Sequence, residues 1–244
     1  MRLPFLVVIL CVFSHTLAVA QPPMPRTSND ADVRARLRAL GAGISVTEGR
    51  STVILSDIGF FPRYSGWSGT REDLALVTQL DDADHVEIRH CLGGGNDLKF
   101  LAGIPSLRQV TFVGQFTDQS TLAPLAHCKS LRSLVIFSLG ATVDDFQSIS
   151  QLEHLEQLTI AALRLDARIV DHLTGMKHLK ELKLLGVVLT DKEIRELGKL
   201  PKLESLEISG RIPSDDFIDT FFDAMPNSRL IVQNREHRWE VSRR

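Results

Sequence analysis

The sequence predicts an α/β solenoid, with a parallel β-sheet on the concave side, helices on the convex side and a helix–hairpin cap at the N-terminal end. Three observations predict it. An apolar pair recurs every 24 residues through seven copies: Val86/Ile88, Val110/Phe112, Leu134/Ile136, Leu158/Ile160, Leu182/Leu184, Leu206/Ile208 and Leu230/Val232. Further apolar residues stand three, six, nine and twelve positions before each pair, and only Asn227 breaks the pattern. Within each pair the alternation, as in Leu158-Thr159-Ile160, is that of a short strand with one buried face.

The repeating unit is complete at 151–160, where Leu152, Leu155, Leu158 and Ile160 form an L-x-x-L-x-x-L-x-I string. The residues three apart suit a helical or 3₁₀ segment facing the same core as the strand. One unit cannot bury its own apolar face, whereas stacked units share a continuous core.

These residues resemble the leucine-rich repeat family, through its L-x-x-L-x-L core and its repeat length of roughly 20–29 residues. The resemblance covers about 73–232 and implies a leucine-rich-repeat horseshoe, strands inside and helices outside. The regular period and the simple leader are similar to those of bacterial members. One departure stands out. The family places Asn or Cys three residues after the pair, whereas this chain has Cys91, Gln115, Leu139, Leu163, Val187 and Arg211. Only Cys91 fits, so the turn is expected to close by packing.

The chain has 244 residues, enough for one solenoid with its caps, and 43% of them are apolar. A formal charge of −2 argues against a nucleic-acid surface or a polybasic membrane binder. Residues 1–20 read as a secretory signal peptide: Arg2, an apolar run over 3–13, and an Ala18-Val19-Ala20 cleavage site. The run is too short to span a bilayer, and an uncleaved anchor is the alternative. Cleavage removes Arg2 and Cys11, which takes the charge from −2 to −3 and leaves Cys91 and Cys128. Their phases in the repeat differ, so both are expected as free thiols.

Residues 21–29, rich in Pro and polar residues, form a leader, and a cap with an aromatic loop is expected over 30–71. Within the cap, 30–40 reads as a helix. Ser28 or Asn29 stands at its start, Val33, Leu37 and Leu40 share one face, and Gly41 ends it. Strands at 44–46 and 52–55 follow, joined across Glu48-Gly49-Arg50. Val53/Leu55 is a zeroth pair lying 33 residues before Val86/Ile88, 9 more than the period. The excess sits in 60–69, with Tyr64 and Trp67. Such a loop either binds a partner or folds its rings back over the cap. The solenoid is assigned to 72–233 and a tail to 234–244. In that tail Arg235, Arg238, Arg243 and Arg244 surround Trp239, as a strand over the last repeat, a frayed end or a basic docking segment.

Residues flanking and following each pair face the concave side. At its centre Val113, Val135, Phe137, Ala161 and Leu185 are adjacent if the repeats stack in register, with Thr111, Thr159 and Lys183 among them. The charged ends include His85, Glu87, Arg89, Glu181 and Glu207. An apolar centre inside a polar rim has the anatomy of a protein interface, although Val and Phe also favour strands for their own sake. The candidate binding set is therefore Thr111, Val113, Val135, Phe137, Thr159, Ala161, Lys183, Leu185, Tyr64 and Trp67.

Motif chemistry is sparse. There is no GxSxG, HExxH, CxxC or Walker sequence. Gly93-Gly94-Gly95 lacks the frame of a phosphate loop and reads as a permissive turn. Asp144-Asp145 and Asp215-Asp216 fall where helices begin, as caps and dipole partners. His154 and His178 share a phase in adjacent repeats, but the third position is Lys202, so a solvated surface is expected rather than a metal site. No catalytic residue, metal or cofactor is assigned. The expectation is an exported, non-enzymatic module that binds a protein or peptide, not nucleic acid. The alternatives are a structural component of the cell envelope and an unusual hydrolase.

Overall fold

A computed structural model describes residues 28–56, 66–89, 95–114, 122–138, 143–162, 167–209, 215–233 and 238–241. Among these residues, ten strands form one sheet in chain order. They are β1 (Gly43–Thr47), β2 (Arg50–Ser56), β3 (Ala83–Arg89), β4 (Gln109–Gly114), β5 (Ser133–Ser138), β6 (Gln157–Ala162), β7 (Glu181–Leu185), β8 (Ser205–Ser209), β9 (Arg229–Gln233) and β10 (Arg238–Val241). The ladder from β2 to β9 is parallel, while β1 and β10 close its two edges antiparallel.

The register follows the sequence period. Val86 lies beside Val110, Val110 beside Leu134, Leu134 beside Leu158, and so on to Leu230. Val53 lies beside Val86 and Leu55 beside Ile88, so the zeroth pair joins the same two rows. Leu134, Leu158, Leu182, Leu206 and their row partners Ile136, Ile160, Leu184 and Ile208 are buried in one continuous core. The fold is an α/β leucine-rich-repeat solenoid.

Backbone bonds also tie each repeat to the one before it. The N–H groups of Arg132 and Ser133 both donate to the Arg108 carbonyl, at 2.8 and 2.9 Å. The same two-on-one arrangement recurs from Glu156/Gln157 to Arg132, from Lys180/Glu181 to Glu156, and from Glu204/Ser205 to Lys180.

Helical segments form the second layer, and consecutive segments touch in chain order. The first four are 3₁₀, at Glu72–Gln79, Gly95–Gly103, Ala123–His127 and Val143–Gln151. The last three are α-helical: α2 (Ile169–Leu173), α3 (Asp191–Leu197) and α4 (Asp215–Ala224). Local sequence accounts for part of the change. The Glu193 carboxylate accepts both the N–H and the hydroxyl of Thr190, fixing the first turn of α3. Pro124, by contrast, lies in the first turn of a five-residue 3₁₀ segment. Asp215 opens α4, as its phase implied. Of the five turn positions that depart from the family pattern, Val187 is described, and it is buried with Leu189 in the core.

At the N-terminal end α1 (Ser28–Ala39) begins two residues before the sequence-based start at Asp30. Val33 and Leu37 are buried against the core. The helix ends in a Schellman motif: Ala42 N–H reaches Leu37 O at 2.9 Å, and Gly41 N–H reaches Arg38 O at 3.0 Å. Gly41 has φ +92°, and a Cβ there would lie 1.7 Å from the Gly66 carbonyl oxygen. The hairpin turn is the two residues Glu48 and Gly49, at φ 52° and 78°, with Arg50 already in β2 opposite Thr47. Two left-handed residues match the twist of a two-residue hairpin. Arg34, buried in α1, donates to Asp30 and Ser51 at 2.8 Å each and to Asp82, joining the helix to β2 and to the approach to β3.

No helix among the described residues is long and apolar enough to cross a membrane. Residues 1–27, where the sequence leads one to expect a signal peptide, lie outside the described residues.

Candidate functional site

The sheet face turned away from the buried pairs presents three rows. The first runs His85, Gln109, Ser133, Gln157, Glu181, Ser205, Arg229. The middle row runs Glu87, Thr111, Val135, Thr159, Lys183, Glu207, Ile231. The last runs Arg89, Val113, Phe137, Ala161, Leu185. The parallel register thus brings together all eight sheet residues of the candidate set. Val113, Val135, Phe137, Thr159, Ala161, Lys183 and Leu185 are half-buried, each shielded in part by its neighbours.

Thr111 differs from the expectation. It has no exposed surface, and its hydroxyl lies 3.0 Å from His85 Nε2. It lies in the middle row of this face but is covered there and offers no contact area. Burial pushes the His85 imidazole down to about 4, so the ring is neutral near pH 7.

Across β4, β5 and β6 the three rows hold nine residues and no charge. Charge begins on either side, and much of it is internally paired. On β3, Arg89 donates to the buried Glu87 carboxylate at 2.7 Å. On β8, Glu207 is 3% exposed. It accepts a two-pronged bond from Arg238 of β10, at 2.9 and 3.1 Å, and lies 3.4 Å from Lys183 Nζ. Burial alone would raise the Glu207 carboxyl, but the Arg238 fork and Lys183 hold it below its ordinary value.

Beside this triad lies a hollow of about 150 Å³ whose walls include Glu181, Lys183, Glu207, Arg229, Trp239 and Glu240. Sequence reasoning missed it. The Lys183–Glu207 neighbourhood follows from the period, but Arg238 and Glu240 lie outside the repeat, and their position depends on the β9–β10 hairpin.

Trp67 is half-buried against the core. Its N–H donates to Ser56 O at 2.5 Å, and Ser68 N–H donates to Leu40 O at 2.8 Å. These backbone bonds hold 67–68 beside Ser56 and Leu40, and the ring packs against the core. Tyr64 lies outside the described residues. In the tail, the strand reading describes 238–241, which pair beside the last repeat.

His154 and His178 have ring centroids 5.9 Å apart, both exposed, and His178 Nδ1 lies 2.9 Å from Glu153 O. No group of three metal-ligating side chains occurs among the described residues. Cys128 is a buried free thiol that burial pushes up to about 11. Cys91, Gly93 and Gly94 lie outside the described residues, and Gly95 opens a 3₁₀ segment.

No family model matches this chain, and no curated protein is similar to it. Solved structures that are similar include an internalin from Listeria monocytogenes, at 20% identity over 66% of this chain and 45% of that one, with a TM-score of 0.43. TLR13 in a complex with ssRNA13 is similar at 15% identity over 68% of this chain and 27% of that one, TM-score 0.48. The plant peptide hormone receptor RGFR1, in complex with RGF2, is similar at 15% identity over 66% and 33%, TM-score 0.34. The chain spans less than half the length of each.

Proposed function

We propose that the protein is an exported, non-enzymatic leucine-rich-repeat module that binds a protein or peptide through the open face of its sheet. One observation supports this above the rest: nine uncharged positions on three adjacent strands, in a chain in which 24% of residues are charged. Isolated apolar surface residues are ordinary, whereas a contiguous uncharged surface with a charged surround has the anatomy of an interface. Val113, Val135, Phe137, Thr159, Ala161, Lys183 and Leu185 form the contact surface, with Thr111 covered among them. A rigid sheet presents them without an ordering cost at the moment of binding. Trp67, packed against the core, belongs to the auxiliary part of this proposed set, together with Tyr64. Export rests on the Arg2, apolar-run and Ala18-Val19-Ala20 pattern, with cleavage near Ala20.

The test is affinity capture from the native envelope or secretome with wild type and Phe137→Asp in parallel, both checked for folding by circular dichroism. A partner held by wild type and lost by the variant supports the reading. Identical profiles from two folded proteins overturn it.

A further inference from the structure

The two edges of the sheet are built differently. β10 carries Arg238 and Glu240, charges of the kind that discourage a further strand from adding. β1 has no charge and no proline, and it keeps a regular register with β2. Its Ser45, Val46 and Thr47 are exposed.

The turn fixes which backbone groups of β1 face outward. A two-residue turn makes Thr47 and Arg50 a hydrogen-bonded pair, and such pairs alternate along an antiparallel ladder. Ser45 with Thr52 and Gly43 with Ile54 are the next two. The N–H and C=O of Ile44 and Val46 therefore point away from β2. Ser51, opposite Val46, has the matching phase: its N–H turns to the far side of β2 and donates to Asp82 O at 2.8 Å. Among the described residues no backbone partner meets Ile44 or Val46 on the outer side.

These two residues are also the large apolar ones of β1. Ile44 lies opposite the buried Val53 and packs against the core. Val46, two positions on, shares that face and is 38% exposed. The pattern is symmetric about Ser45. A second β1 laid antiparallel, with Ser45 facing Ser45, sets Ile44 of each copy against the partner's Val46. Both pairs are of the type that exchanges N–H and C=O bonds, and each Val46 gains an apolar neighbour across the strands. No charge of β1 faces another.

We propose that β1 is a dimerisation edge, where a second copy of the chain adds its own β1 antiparallel about Ser45 and one sheet runs through both copies. The two-fold axis is perpendicular to the sheet, so the two open faces look the same way, side by side. The proposal stands on the edge alone and is independent of what the open face binds.

The experiment is sedimentation of the full chain over a concentration series. Wild type should show a monomer–dimer equilibrium with no larger species. Val46→Pro removes only an outward N–H, at an edge position that tolerates proline, and should weaken the dimer about tenfold or more. Val46→Lys keeps the backbone and sets a charge beside the partner's Ile44, and it should weaken the dimer as well. Circular dichroism checks that both fold. Two cysteine variants test the register with the edge otherwise intact. Ser45→Cys should give a disulfide-linked dimer on mild oxidation, because residues facing one another in that type of pair have Cα atoms about 4.5 Å apart. Thr47→Cys should not, since its two copies lie ~14 Å apart along the strands. Peptide mapping by mass spectrometry identifies the linked residues.

A monomer at every concentration overturns the proposal. Species that grow beyond two copies overturn it in favour of β1 joining β10 head to tail. A dimer that persists in the folded Val46 variants, or that is lost in Phe137→Asp, uses another face and overturns it too. So does cross-linking at position 47 as fast as at position 45, or at neither.

Discussion

Arg238 donates to both carboxylate oxygens of Glu207, reaching across β9 from the last strand to β8. The bond fastens an edge strand outside the repeat to a buried acid inside it. Arg238→Met leaves Glu207 with Lys183 alone. Because the guanidinium is more than half exposed, the expected loss is about 1–2 kcal/mol rather than the full cost of an orphaned buried charge. Urea denaturation measures the loss, and hydrogen exchange in β10 should accelerate first. Unchanged exchange there would show that the four backbone partners of β10 suffice without the fork.

The neutral His85 makes stability depend on pH in a defined window. Its folded value, about 4, lies below the ordinary 6.5. Between those values the unfolded chain binds a proton that the folded chain does not, so stability falls as the pH is lowered from 6.5 to 4. The contribution is roughly 3 kcal/mol at most. His85→Gln should flatten the stability–pH profile in that window, as read by thermal melts in matched buffers.

Gly41 combines a left-handed backbone with contact against Gly66, so Gly41→Ala meets both a conformational and a steric penalty. A loss of about 2–4 kcal/mol is expected, with the 66–68 segment released from α1. The hairpin turn offers the opposite case. Glu48 is a non-glycine residue at φ 52°, and Glu48→Asn should stabilise by about 0.5 kcal/mol. Paired denaturation curves test both signs.

Cys128 is buried, with its thiol raised to about 11. Alkylation at pH 8, mapped to the Cys128 peptide, should be negligible in the native protein and rapid in urea. Rapid native labelling would show that this repeat opens far more readily than its buried core implies.

Leu158 lies in the central strand with buried neighbours in both adjacent repeats. Leu158→Ala should cost about 2–5 kcal/mol, and Leu158→Asp should abolish the cooperative transition. Phe137→Asp, on the half-buried face of the adjacent strand, should keep that transition.

Much of the molecule was legible in the residues themselves. A strand points alternate side chains to opposite faces, and a fixed period stacks each pair on the next. Spacing alone therefore determined the order of the repeat strands, the register of each pair from Val86 onward, the buried rows and the uncharged strip around Phe137. Other features required the tertiary structure. Arg34 meets Asp82 across 48 positions and Arg238 meets Glu207 across 31, contacts with no periodic signature that depend on how helix α1 and the β9–β10 hairpin turn the chain back. The burial of Thr111 and the packing of Trp67 against the core were likewise decided by neighbours distant in the chain. A repeat writes its own local geometry into its spacing. Where the repeat ends, contacts are set by the three-dimensional path of the chain, and that path also places the hollow beside the strip.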